Sequence, residues 1–274
     1  MPDLPGAPGS QGPGLVRQVS PAREQPFPEE WYELTSPTHF WFQWRLAATL
    51  GLIRRVGIPT DRPLKALEIG GGTGVLRDQL EAKTSWVVDM TDLQLEALRH
   101  ARQGRGQNLY YDILEERAPF LDAYDVIILF DVLEHIEPTG PFLRSTLRHL
   151  KKGGYLLLNV PALQGLYSAY DRAAGHVRRY DKSSLRAEFA RLDLQVSALR
   201  YWGVLLLPLL LTRKLLLRRS ATPAETIRTG FQPPGDLTHR LLRGLMRVET
   251  SLWPNPPVGT SLLLAGRRGG ADGP

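Results

Sequence analysis

The stretch Leu67-Glu68-Ile69-Gly70-Gly71-Gly72-Thr73-Gly74 joins an apolar run to a cluster of glycines. A strand feeding such a turn lets backbone approach a ligand closely, and the following helix presents the positive end of its dipole. A dinucleotide fingerprint needs Gly-x-Gly-x-x-Gly, and counted from Gly70 its third glycine would fall where Val75 stands. The pattern is instead acidic-x-Gly-x-Gly-x-Gly, from Glu68 to Gly74. The next apolar run, Trp86–Val88, ends at Asp89, with Met90 after it. The third, Asn108–Tyr111, ends at Asp112, with Ile113 after it. A carboxylate at 89 can accept both hydroxyls of a ribose, and one at 112 can take an adenine amine. Either aspartate alone reads equally well as a turn residue. Together, at successive strand ends where open α/β sheets bind ligands, they read as a nucleoside site.

The elements that must position these groups alternate along the chain. A helix is expected over His39–Ile58, with Leu46, Leu50 and Ile53 on one face. Strands at Leu64–Ile69, Trp86–Val88, Asn108–Tyr111, Val126–Phe130 and Tyr155–Val160 alternate with helices at Val75–Ala82, from an Asp92 cap to Ala101, and at Pro141–Leu150. Such alternation predicts an α/β fold with a parallel sheet and right-handed crossovers. Beyond Pro161 a loop leads to a helix at Lys182–Arg191, a strand at Leu194–Leu199 and a last strand at Ser261–Ala265. The expected divisions are a disordered Pro/Gly-rich tail over 1–30, a core over 31–200, an apolar and basic insertion over 201–259, and a closing strand and tail over 260–274.

Glu68–Gly74, Asp89, Asp112, Phe130-Asp131-Val132-Leu133-Glu134-His135-Ile136 and Leu150-Lys151-Lys152-Gly153-Gly154 resemble, in order, the motifs of class I S-adenosylmethionine (SAM) methyltransferases. His39-Phe40-Trp41-Phe42 through Arg45, and Gly175-His176-Val177-Arg178-Arg179-Tyr180, are similar to segments of bacterial small-molecule enzymes of that class. The ubiquinone-biosynthesis O-methyltransferases carry acidic-x-x-Glu-His after the fourth strand, as Asp131, Glu134 and His135 do here, although their first position is usually glutamate. The resemblance implies a Rossmann-like sheet of seven strands, the last antiparallel, with helices on both faces. It implies SAM as cofactor, with Glu68, Gly70, Gly72 and Gly74 at the methionine moiety, Asp89 and Met90 at the ribose, Asp112 with Ile113 at the adenine, and Asp131 near the methyl group.

Methyl transfer from a sulfonium is an in-line displacement, so the protein mainly positions two groups; an oxygen acceptor must also lose a proton. His135 and His176 are the candidate bases. His135 serves equally well as a structural group bonded to nearby backbone. His176 stands beside Arg178 and Arg179, which either orient an anionic acceptor or hold the loop to carboxylates. Asp131, Glu134 and His135 could ligate Mg²⁺ or Zn²⁺, but three ligands on one turn give thin support, and no metal site is assigned.

In the insertion, Leu237, Leu241, Leu245, Val248 and Leu252 share a helical face, with Arg240, Arg243 and Arg247 off it. A lid over an apolar substrate, an element on an anionic membrane surface, a helix packed on the domain and a subunit contact all fit this pattern. No run is long enough to span a bilayer: Val204–Leu211 is interrupted by Pro208 and followed by Arg213 and Lys214. The formal charge is +6 and the pI about 9.7, with only six lysines among 34 basic residues. No aromatic-basic RNA module accompanies that charge, so nucleic acid is not expected as a partner. The absence of cysteine excludes disulfides and thiolate chemistry. With no signal-like apolar segment before Glu30, a cytoplasmic location, at most peripheral to a membrane, is expected. Asn255-Pro256-Pro257-Val258 resembles a motif of amino-methylating enzymes, but that motif belongs straight after the fourth strand, where Asp131–Glu134 stand. The expected function is methyl transfer to a small-molecule or lipid-linked acceptor, at oxygen. The rivals are a nucleic-acid or protein methyltransferase and a non-catalytic SAM-binding subunit.

Overall fold

The alternating pattern becomes, in the computed structural model of the chain, one eight-stranded mixed sheet between two layers of helices. The structure describes residues 14–21, 36–216, 222, 226 and 235–269. Its first half holds β1 (Val16–Gln18), α1 (Phe40–Val56), β2 (Lys65–Ile69), α2 (Val75–Glu81), β3 (Val87–Asp92), α3 (Leu95–His100), β4 (Asn108–Tyr110) and β5 (Tyr124–Phe130). There follow α4 (Thr139–His149), β6 (Leu150–Pro161), α5 (Ala169–Ala173), α6 (Lys182–Phe189), β7 (Leu194–Trp202), α7 (Leu207–Leu216), α8 (Asp236–Leu252) and β8 (Ser261–Arg268).

The strand order is β1-β4-β3-β2-β5-β6-β8-β7, and β8 runs antiparallel to both β6 and β7. Removing β1 leaves the expected seven-stranded sheet with its last strand reversed. Successive side chains on β5 go to opposite faces, as strand geometry requires. Val126, Ile128 and Phe130 pack with Trp44, Leu52 and Ile53 of α1, Leu80 of α2 and Leu242 of α8. Ile127 and Leu129 pack with Leu143 and Leu147 of α4 and with Leu185 and Phe189 of α6. Burying each such side chain stabilises the fold by about 1.5–3 kcal/mol.

Two expected boundaries are corrected. Val16–Gln18 does not belong to a disordered tail: it adds β1 to the edge of β4, in register from Val16 opposite Asn108. The reason is an otherwise bare edge, which β1 satisfies with help from Gly14 N–H donating to Ala101 O at 2.9 Å and Val19 N–H to Tyr110 O at 2.9 Å. The rest of the 1–30 segment lies outside the described residues. The second correction concerns β3, which continues past Val88 to Asp92 because Met90 and Thr91 pair onward with Asn108 and Leu109 of β4. Asp89 therefore sits inside the sheet, opposite Leu67 of β2.

Candidate active site

A cavity of about 930 Å³ opens at the C-terminal ends of the parallel strands. Its first wall is the glycine turn after β2. Gly70 has φ +73°, and a Cβ there would strike Val132; a Cβ on Gly71 would strike the side chain of Met90. The turn thus offers bare backbone, with Met90 fully buried beneath it. Gly72 N–H donates to Asp92 Oδ2 at 2.8 Å, which ties the turn to the end of β3. Glu68 lines the cavity, and its buried Oε2 has no hydrogen-bond partner. Burial raises the Glu68 carboxyl to about 7, against the opposing pull of Arg45 and Arg77.

Of the residues expected at the cofactor, Glu68, Gly70, Gly72, Asp112, Ile113 and Asp131 line this cavity. Asp89, Met90 and Gly74 do not. The Asp89 carboxylate accepts from Gln107 N–H at 2.9 Å and Tyr124 O–H at 3.1 Å, a structural bond inside the sheet. Gly74 caps α2 in a left-handed conformation, behind the turn. Because β3 runs on to residue 92, the acidic group at the cavity edge is Asp92, and burial raises its carboxyl while backbone donors hold it down. Asp112 caps a short 3₁₀ turn over Ile113–Glu115, and its own N–H donates to Ser20 Oγ at 2.9 Å.

The second wall follows β5. Asp131 takes φ +57°, a region uncommon for residues other than glycine, at a cost of about 1–3 kcal/mol. Its carboxylate accepts from Arg45 Nη1 at 2.6 Å and Asn159 Nδ2 at 2.7 Å; Trp202 Nε1 in turn donates to Asn159 Oδ1 at 2.8 Å. The Arg45 guanidinium lies 4.7 Å from the centre of the Trp41 ring and 5.2 Å from that of Phe42.

Both candidate bases face this cavity. His176 Nδ1 lies 3.0 Å from Asp171 Oδ1, and the fully buried Asp171 also accepts from Arg179 Nε at 2.7 Å. Burial alone would raise the Asp171 carboxyl, but His176 and Arg179 hold it well below the usual range. His135 Nδ1 lies 3.1 Å from Gly175 O, so that nitrogen must carry the proton. Burial, and then the neighbouring His176, lower His135 to about 4, so the ring is neutral at pH 7. The two rings meet edge to face, with centroids 4.9 Å apart. Glu134 Oε1 lies 3.9 Å from His176 Nε2, and burial followed by the Asp131 charge raises the Glu134 carboxyl well above normal.

Ligand-type atoms of Glu134, His135 and His176 all lie within 4.8 Å of one another, a group that could hold a divalent cation. The combination of Asp131 with Glu134 and His135 considered from sequence is not assembled, because Arg45 and Asn159 engage Asp131. Sequence reading gave Arg45, Asp92 and Asp171 no role in the site, taking Asp92 only as a helix cap; of its two readings of Arg179, the structure shows the carboxylate pair, with Asp171. The Arg45–Asp131 pair spans 86 positions and carries no local signal; Asp171 stands five residues before His176, in the same family-like stretch, and only the fold shows that the two side chains meet.

The third wall is the stretch expected as an insertion. Leu206, with Leu209, Leu210 and Arg213 of α7, and Thr238 and Leu242 of α8 line the cavity. Glu249 fixes this wall by accepting from Gly203 N–H at 2.5 Å and Leu205 N–H at 3.1 Å. The inward face of α8 is Leu242, Leu245, Met246 and Glu249; Leu237, Leu241, Val248 and Leu252, expected to share a face with Leu245, point outward.

Bare glycine backbone, an unpaired buried carboxylate oxygen at Glu68 and an acid at the end of β3 suit a nucleoside carrying an amino-acid tail, which SAM is. The family model for a methyltransferase domain matches residues 42–199. A ubiquinone biosynthesis O-methyltransferase, mitochondrial, from Candida albicans is 30% identical over 116 residues. That match covers 39% of this chain and 35% of the relative, so the chain spans about a third of the relative's length. A SAM-dependent methyltransferase from Mesorhizobium loti superposes with a TM-score of 0.52 at 14% identity, over 81% of this chain and 98% of that one. A phosphoethanolamine N-methyltransferase from Haemonchus contortus, solved with SAM, gives 0.53 at 16%, over 80% and 52%. At such identities these two likenesses speak for the fold alone. With the family model covering more than half of the sequence, the chain belongs to the methyltransferase-domain family, the class I, SAM-dependent methyltransferases.

Proposed function

We propose that the chain transfers the methyl group of SAM to an oxygen of an apolar small-molecule or lipid-linked acceptor. The observation that carries this reading is the His176 imidazole, backed by a buried carboxylate and facing a cavity with nucleoside-type features on one side and leucines on the other. SAM supplies a methyl group already on a sulfonium, so it needs no further activation. The chain's own residues do the rest. The glycine turn, Asp92 and Asp112 hold the nucleoside; Leu206, Leu209, Leu210 and Leu242 exclude water around the acceptor. His176 Nε2 takes the hydroxyl proton as the oxygen attacks. Oxygen as the methylated atom is supported by the relative's description as an O-methyltransferase.

We read the acceptor as reaching the cavity from an anionic membrane surface, because the α7–α8 rim exposes leucines beside arginines. No helix among the described residues is long and apolar enough to cross a membrane. The test is to incubate the protein with SAM and a cell lipid extract and search by mass for products heavier by one CH₂ unit. A product found only in the aqueous fraction, or none, would sink the acceptor class.

A second reading is favoured by the meeting of Glu134, His135 and His176: a bound Mg²⁺ or Zn²⁺ would lower the acceptor's pKa in place of a free base. Activity abolished by EDTA and restored by added metal selects that reading; indifference to chelator leaves the base.

A further inference from the structure

The Asp171 carboxylate divides its two oxygens between different tasks. Oδ2 accepts from Ser168 N–H at 2.8 Å and Ser168 Oγ–H at 3.0 Å, which caps the start of α5. Oδ1 faces the other way, to His176 Nδ1 at 3.0 Å and Arg179 Nε at 2.7 Å. A cap needs only the first oxygen, so capping does not account for the second.

The backbone around His176 is clamped independently. His176 N–H donates to Asp171 O at 2.8 Å, Tyr167 O–H donates to His176 O at 2.7 Å, and the next residue, Val177, donates to Glu134 O at 2.9 Å. What remains free is the rotation of the ring and the choice of which nitrogen carries the proton. Arg179 settles the state of the partner: 6% exposed, it donates also to Ala162 O at 3.1 Å and holds its guanidinium against the Asp171 carboxylate. An ionised carboxylate can only accept, so the bond to it puts a proton on Nδ1; in the neutral ring the lone pair then lies on Nε2.

We propose that Asp171 is the positioning residue for His176, its Oδ1 fixing the imidazole in the Nδ1–H tautomer with Nε2 bare toward the cavity. The effect on turnover rests on the reading of His176 as the base; the tautomer does not. In the reaction, the hydroxyl proton passes to Nε2 as the oxygen–methyl bond forms and the sulfur–methyl bond breaks. The imidazolium that results keeps its Nδ1–H bond to Asp171, so the charge formed is stabilised without any movement of the ring. Loss of base catalysis of this kind lowers rates by about 10²–10⁴-fold.

The experiment uses the full chain with ¹⁵N-labelled histidine. Long-range ¹H–¹⁵N spectra, with His176 assigned from a His176→Gln sample, are expected to show the proton on Nδ1 and shifted downfield. Asp171→Ala is expected to give a tautomer mixture and to lower S-adenosylhomocysteine formation with lipid extract about 100-fold, with calorimetric SAM affinity unchanged. Ser168→Ala, which removes the capping hydroxyl but no partner of Oδ1, is expected to keep both tautomer and turnover. A wild-type spectrum with the proton on Nε2 overturns the proposal, and needs no variant that folds. So does an Asp171→Ala protein with unchanged tautomer. If the tautomer responds as expected but His176→Gln turns over normally, the base reading fails while the Asp171–His176 assignment stands.

Discussion

Asp92 takes two backbone donors on its carboxylate, Gly72 on Oδ2 at 2.8 Å and Gln94 on Oδ1 at 2.8 Å, and each oxygen keeps a lone pair for a ribose hydroxyl. Bonds to a charged acceptor contribute about 1.5–3 kcal/mol each, so Asp92→Ala should weaken calorimetric SAM binding by about ten-fold or more. Asp89→Ala should instead strand the Tyr124 hydroxyl and the Gln107 N–H inside the sheet and lower the melting temperature, at about 1–3 kcal/mol, with a smaller effect on SAM. The reverse ranking of the two SAM affinities would return the ribose to Asp89. Both aspartates were visible in sequence, and only the length of β3 decides which one reaches the edge. Glu68 gives a pH signature. Its folded value of about 7 lies above the ordinary 4.5, so the native state binds the extra proton between those limits. Stability of the SAM-free protein is therefore expected to fall as pH rises from about 4.5 to 7, by up to about 3 kcal/mol. Glu68→Gln should remove that slope in melts run across the window; an unchanged slope would place the titration elsewhere.

At the scale of elements, β1 is the piece with the smallest sequence signal and a clear mechanical role. Three residues cover the edge of β4, and Ser20 just beyond them accepts from Asp112 N–H at 2.9 Å. Removal of residues 1–21 should lower the melting temperature, promote association through the bared edge, and weaken SAM binding through Asp112. Scattering and calorimetry on the truncated chain check this; a monomeric protein with unchanged affinity would make β1 dispensable. The sequence predicts the central strands because their runs, such as Val126–Phe130, are apolar on both faces of a covered sheet. It does not predict β1, where only Val16 is apolar and the pairing partner lies some ninety residues away. Helix α8 is legible as a helix, but not in its orientation. Two apolar stripes run along it, and α1 together with the Gly203–Leu205 turn selects the one containing Leu242 and Glu249.

At the scale of the whole molecule, exposed leucines and three exposed arginines fall together on α8. Leu237 and Leu252 are 83% and 80% exposed, and Leu241, Val248, Leu209, Leu211 and Trp253 are exposed with them, beside Arg240, Arg243 and Arg247. Each basic residue near an anionic surface contributes about 1 kcal/mol. Flotation with phosphatidylglycerol vesicles should therefore carry the protein upward at low salt and less at high salt. Changing the three arginines to glutamate should abolish this, with SAM affinity intact. Protein that stays in the soluble fraction at both salts, or a dimer that covers these leucines, ends the membrane reading. The sheet order and the nucleoside half of the cavity follow from motifs at strand ends. The other half stayed open among a lid and other placements, because nothing in the spacing of residues 201–259 says that Leu206, Leu210 and Leu242 line the cavity.

That far wall has a consequence for how the fold diversifies. It leaves the sheet after Trp202 and re-enters at Ser261, two residues paired side by side on neighbouring strands. A stretch with adjacent endpoints can change in length without shifting strand register, provided its core contacts at Leu206 and Leu242 are kept. Residues on the far wall can therefore change without moving the glycine turn over Glu68–Gly74, which follows β2, with β5 and β6 between that strand and β8.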